Sequence, residues 1–211
     1  MKQYLMEGIG TFLLVLLVGL VTVNAREEHL PLAYGAVATA LFFTGARVSG
    51  GHFNPAISLA ELMLGQLERW DFPYYLAAQT VGGVLGAILA VFMTRCSGTA
   101  DVLPLHHDPF CAFFAEAAGA FALCFVFLNT SADRPEETPP PYSGIAVGFA
   151  VMAAVFALGN ISPATLNPAL ALGLAVAGRI TWVDIWPSLI GTAVGAAAAA
   201  SVYRITRNEA G

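Results

Sequence analysis

Val48–Ala60 reads VSGGHFNPAISLA, and Ile161–Gly173 reads ISPATLNPALALG. Each stretch carries the tripeptide Asn-Pro-Ala, first as Asn54, Pro55 and Ala56 and then as Asn167, Pro168 and Ala169, 113 residues later. Such a tripeptide opens a helix. Proline suits the first helical position, where its missing N–H would have had no intrahelical partner. Asparagine just before it caps the free N–H groups of the first turn. One copy is an ordinary helix start. Two copies, matched across a repeat in a very apolar chain, point to two half-helices whose positive N-termini meet at the centre of a pore.

The composition places the chain in a membrane. Of its residues 57% are hydrophobic and 11% are charged, against about 25% charged in a soluble domain. The mean hydropathy is +0.72. A net charge of −5, spread over short polar breaks, offers no basic surface to nucleic acid. Cys96, Cys111 and Cys124 form no CxxC motif and have no metal-ligand spacing with a histidine, so they read as structural thiols. The first apolar run lacks a small-residue cleavage site and reads as a spanning helix, not a signal peptide.

Six long apolar segments, over about 2–23, 31–48, 72–95, 109–129, 142–159 and 181–203, each approach the ~20 residues that cross a bilayer. Two shorter stretches, about 54–64 and 167–177, follow the tripeptides and read as re-entrant half-helices. The halves repeat. Glu7 and Glu116 lie 109 residues apart, each before a Gly-containing apolar run (EGIGTF, EAAGAF). Gly35 and Gly148 are 113 apart, and Gly82 with Gly191 and Gly86 with Gly195 are 109 apart. Three crossings per half invert the second copy in the membrane. The expected fold is all-α: six transmembrane helices plus two half-helices in one channel domain over 1–211, with halves of approximately 1–105 and 106–211. Lys2, Arg47, Arg69, Arg134, Arg204 and Arg207 fall on one side and Arg26, Arg95 and Arg179 on the other. That bias predicts a multi-pass protein of the plasma or inner membrane with both termini in the cytoplasm.

At these residues the chain resembles the aquaporin and glyceroporin family, the major intrinsic proteins. The first signature matches almost letter for letter. The second departs from it twice, and the early glutamate of each half also matches. The resemblance implies a right-handed bundle with one pore per subunit and usually four subunits, passing water or small neutral solutes without a cofactor or a metal. Asn54 and Asn167 would each offer side-chain N–H groups to a permeating water, orienting it and interrupting a proton wire. The resemblance makes Glu7 and Glu116 braces that accept backbone N–H bonds from the half-helix loops. His52 reads as a loop histidine with a satisfied hydrogen bond; a pH sensor or metal ligand is the alternative. His106 and His107 read as solvated loop residues beside Asp108, with a surface metal site as the alternative.

Members of this family are tuned at a constriction outside the asparagine pair. Counting from each asparagine assigns it here to Tyr34, Val155, Ala164 and Leu170. Water-selective members typically hold an aromatic, a histidine, a small residue and an arginine there. In this chain Val155 stands for the histidine and Leu170 for the arginine, and Pro163 occupies a usual glycine position. Leucine neither narrows the pore with fixed donors nor repels cations. Water loses hydrogen bonds at an apolar ring at a cost that partly apolar solutes escape. The expected permeants are therefore water and small uncharged solutes such as glycerol, urea and neutral metalloid acids. Some bacterial members associated with metalloid acids also lack the arginine. Two further readings stand beside the channel. An ion-coupled secondary transporter would need embedded ionisable groups, of which the sequence offers only Glu7 and Glu116. A pore closed by its filter would leave a junction or scaffold role. No catalytic constellation supports an enzyme.

Overall fold

Six of the eight α-helices among the described residues carry proline in their first two positions: Pro31, Pro55, Pro73, Pro109, Pro168 and Pro187. The chain thus marks its own helix starts where proline costs no hydrogen bond. The computed structural model describes residues 1–23, 27–96, 107–131 and 139–208. In chain order the helices are α1 (Lys2–Val23), α2 (Leu30–Ser49), α3 (Pro55–Leu64), α4 (Phe72–Cys96), α5 (Pro109–Thr130), α6 (Ser143–Leu158), α7 (Pro168–Val176) and α8 (Trp186–Asn208). Arg26, His106 and Arg134 lie outside the described residues.

The order of two long helices, a half-helix and a further long helix occurs twice. Within each half the outer pair crosses closely, α1 on α4 and α5 on α8, while α2 packs on α6 between the halves. Glycine allows the close approach. A Cβ on Gly82 or Gly86 would run into the α1 backbone at Gly8 and Phe12, and one on Gly191 or Gly195 into the α5 backbone at Phe113 and Ala117. Without a hydrophobic drive between helices in lipid, such contact of backbones is what holds them together.

α6 matches the sequence reading to within a residue at each end, and the last helix departs from it. α6 has 16 residues, about 24 Å of helix, less than the ~30 Å hydrocarbon core; five helices, α1, α2, α4, α5 and α8, are long and apolar enough to cross a membrane. The start of α6 is fixed by three prolines and by Ser143, whose hydroxyl donates to the carbonyls of Pro140 and Thr130. Its end turns at Gly159, where Ile161 and Ser162 both donate to the Leu158 carbonyl. The last helix, expected over 181–203, begins at Trp186 and continues to Asn208. Thr181 Oγ1 donates to Asp184 Oδ2 at 2.7 Å, and Asp184 N donates back to Thr181 O at 3.0 Å. This local turn competes with the helix and delays it. At the far end Arg204 donates to the Met63 carbonyl and Arg207 lies over the Tyr203 ring, so the polar last turns stay helical.

Candidate functional site

Asn54 and Asn167 hold matching places. Both have extended backbone (φ −154° and −153°) immediately before their prolines. Asn54 Oδ1 accepts the Ala56 N–H at 2.8 Å, and Asn167 Oδ1 accepts those of Ala169 at 2.9 Å and Leu170 at 3.4 Å. The amide nitrogens do something that no local pattern reveals. Asn54 Nδ2 donates to the Leu166 carbonyl and Asn167 Nδ2 to the Phe53 carbonyl, each at 2.9 Å. Each amide therefore ties its own half-helix to the opposite loop. An amide NH2 has two hydrogens, so each bond leaves a second N–H on its asparagine. Both asparagines line a central cavity, together with Tyr34, His52, Phe53 and Ile57.

The two glutamates hold the loops that present these asparagines. Glu7 accepts from Ser49 Oγ (2.6 Å), His52 N (3.0 Å), Phe53 N (2.6 Å) and Gln79 Nε2 (2.8 Å). Glu116 accepts from Thr165 N (2.9 Å), Leu166 N (2.8 Å), Thr165 Oγ1 (3.1 Å) and Ser188 Oγ (3.3 Å). Each carboxylate thus takes two consecutive backbone N–H groups and two side-chain donors. Aiming consecutive N–H groups at one acceptor requires a left-handed turn, and Phe53 (φ 48°) and Leu166 (φ 54°) supply it at repeat-related positions. Ala164 is also left-handed, at φ 46°, where the first half has Gly51 at φ 69°. An alanine there carries a Cβ penalty that glycine lacks. Ala164→Gly is accordingly expected to raise folded-state stability by about 1 kcal/mol, read as a higher melting temperature in detergent; an unchanged or lower midpoint would show that the alanine's packing outweighs its backbone strain.

Tyr34, Val155, Ala164 and Leu170 are all buried, 3%, 3%, 2% and 1% exposed, and belong to the main hydrophobic core; of the four, Tyr34 lines the central cavity. Tyr34 projects from α2, Val155 from the last turn of α6, Ala164 from the loop before α7 and Leu170 from its first turn. The phenol, the polar side-chain group of this ring, donates to the Thr165 carbonyl at 2.7 Å. Its proton is thus engaged by the backbone.

His52 contacts Ser58, its Nδ1 lying 3.0 Å from Ser58 Oγ, and is wedged between Tyr75 and Phe127 at ring distances of 5.3 and 5.7 Å. It lines both the central cavity and a larger vestibule. Gln3, Arg47, Glu61, Asp71 and Ser131 also line that vestibule, which places the start of α1 and the ends of α2 and α5 at one mouth. At the opposite mouth His107, Pro163 and Asp184 line a small pocket. Asp108 caps α5: its Oδ1 accepts the Cys111 N–H at 2.8 Å, which holds its carboxyl below the usual range. Among the described residues no three His, Cys, Asp or Glu side chains cluster as metal ligands. Arg179, counted as a loop charge in the sequence, is 3% exposed.

One residue of this conduit escapes the sequence reading. Glu61 belongs to α3, is 5% exposed and lines the vestibule. The signal was available: seven residues bring a helix back to within about 20° of the same face, so Glu61 shares the face of Asn54.

Comparison with known proteins follows the same lines. The family model described as major intrinsic protein matches residues 1–203. A glycerol uptake facilitator protein-like 6 from Lactiplantibacillus plantarum is 30% identical over 99% of this chain and 100% of its own length. Nodulin-26 from Glycine max is 30% identical over 98% of this chain and 78% of its own. The X-ray structure of the aquaglyceroporin from Plasmodium falciparum superposes with a TM-score of 0.81 at 20% identity, over 96% of this chain and 94% of that one, a likeness of fold.

Proposed function

The chain belongs to the major intrinsic protein family, and from that premise we propose that it discriminates among its permeants at the ring of Tyr34, Val155, Ala164 and Leu170. It is a multi-pass membrane protein and a passive channel for water and small uncharged solutes. The finer reading is that the ring favours small neutral solutes with some apolar surface, such as glycerol, urea and neutral metalloid acids, over strict water selectivity. The observation that carries it is the engagement of the Tyr34 hydroxyl by the Thr165 carbonyl. With Val155 and Leu170 beside it, a permeant finds no side-chain donor at the ring, and each water that sheds its partners there pays for desolvation.

The half-helices supply a second element. Two N-termini, each equivalent to about half a positive charge, face the central cavity through Asn54 and Asn167 and repel cations. Glu7 and Glu116 act as braces and not as coupling-ion sites, because both carboxylate oxygens of each are already taken by four donors. That supports a channel over an ion-coupled carrier. We further infer both termini on the cytoplasmic side of the cell membrane, which Lys2, Arg47, Arg69, Arg204 and Arg207 at one mouth support, and a four-subunit assembly, which rests on family resemblance.

Stopped-flow permeabilities of proteoliposomes test the reading. Glycerol and urea are expected to cross at rates comparable to one another, linear in concentration, with a neutral metalloid acid also admitted. Saturating, ion-dependent flux would instead identify a carrier. Loss of all solute flux, with water alone passing, would overturn the apolar-filter reading.

A further inference from the structure

The half-helix N-termini repel cations, but the same positive centre attracts anions, and the Tyr34–Leu170 ring adds no charge to oppose them. Something else must exclude anions if passage is confined to neutral solutes. We propose that Glu61 does so, as a specificity-determining residue of the conduit; the proposal rests on the channel reading above.

Three observations converge on it. Asn54, Ile57 and Glu61 follow one face of α3 at spacings of three and four residues. The first two line the central cavity, and Glu61 lines the vestibule that opens from it past His52. Glu61 therefore sits about 10 Å along the helix from the pore centre, on the route a solute takes. At 5% exposed it is recessed into the wall, unlike Glu68 at the same mouth. Among the charged residues lining the vestibule, Arg47 is the base, and Glu61, Glu68 and Asp71 are the acids. Both Asp71 carboxylate oxygens accept bonds, from Gln3 and Tyr4.

The repeat shows that the carboxylate is not needed to build the element. The position in α7 that corresponds to Glu61 is Leu174, 113 residues on, and it is buried with hydrocarbon neighbours. The second half-helix forms with leucine where the first has a carboxylate. A negative vestibule in series with a positive centre rejects ions of either sign, and the barrier acts on flux in both directions.

The test uses a pair of permeants matched in shape. Urea and nitrate are both planar and trigonal, but only nitrate is charged and it does not protonate. Their permeabilities are compared in proteoliposomes of the full chain, with potassium and valinomycin supplying charge balance. Glu61→Gln is expected to raise nitrate permeability about five- to tenfold while urea flux stays unchanged. Glu61→Leu, which copies position 174, should do at least as much, and Glu61→Asp should stay near the unmodified protein. If the neutral variants fail to assemble, the unmodified chain still decides, because rising ionic strength should screen the vestibule and increase nitrate permeability. Persistent urea flux with nitrate unchanged in both neutral variants, or insensitive to salt, overturns the role of Glu61 alone. Absence of urea flux from the unmodified protein overturns the apolar-filter reading above, whereas intact urea flux with unchanged nitrate flux overturns this inference alone.

Discussion

Leu170→Arg is expected to lower the glycerol-to-water permeability ratio about tenfold, equivalent to ~1.4 kcal/mol of added barrier for the larger solute. Leu170 lies in the first turn of α7 and is among the largest fully buried side chains, in one cluster with Tyr34 and Val155. A guanidinium there would fill that space and present fixed donors to a polar permeant. Water gains hydrogen bonds from the change and glycerol loses room. Val155→His in the same chain should sharpen the effect, because both residues belong to the filter proposed above. A second outcome is also diagnostic. The Thr165 carbonyl already accepts from Tyr34, so an arginine without a carbonyl to orient it would obstruct the pore and abolish both fluxes. Proteoliposomes at matched protein density decide. An unchanged ratio with total flux intact would show that Leu170 does not line the selective constriction.

Glu116→Ala is expected to act on folding, not on selectivity. It strands the backbone N–H groups of Thr165 and Leu166, which are buried and cannot turn elsewhere. Each such donor costs roughly 1–3 kcal/mol. The hydroxyls of Thr165 and Ser188 can rotate to other acceptors and add less. Glu7→Ala should behave alike, through His52 N and Phe53 N. The measurements are the yield of monodisperse protein in detergent and its melting temperature, with both expected to fall sharply. Normal yield and stability accompanied by an altered solute ratio would contradict the bracing assignment and make the glutamates part of the selective path.

Much of this architecture is written in local terms. The half-helix starts follow from Asn-Pro-Ala because an N-cap bond closes within two or three residues. Spanning segments are legible because roughly twenty apolar residues have few places to go except lipid. α6 is legible too: its apolar run, read over 142–159, is helical over Ser143–Leu158, bounded by the Ser143 bond to the Thr130 carbonyl and the turn at Gly159. The start of α8 departs from the reading because Thr181 and Asp184 prefer each other to the helix. Glu61 has a local signal in its seven-residue spacing from Asn54, but what that face borders is decided only in the folded chain.

By itself, then, the sequence determined an inverted pair of three-span halves and two capped half-helices. These depend on capping, hydropathy and spacing, which act over a few residues or a single helix length. Tertiary structure alone decided what those residues do with their polar atoms. Tyr34 meets Thr165 across 131 positions, Asn54 meets Leu166 across 112, and Asn167 meets Phe53 across 114. Whether a hydroxyl or an amide N–H faces a permeant or a carbonyl is settled by partners that only the folded chain brings within 3 Å, because a buried donor takes whatever acceptor the packing leaves in reach.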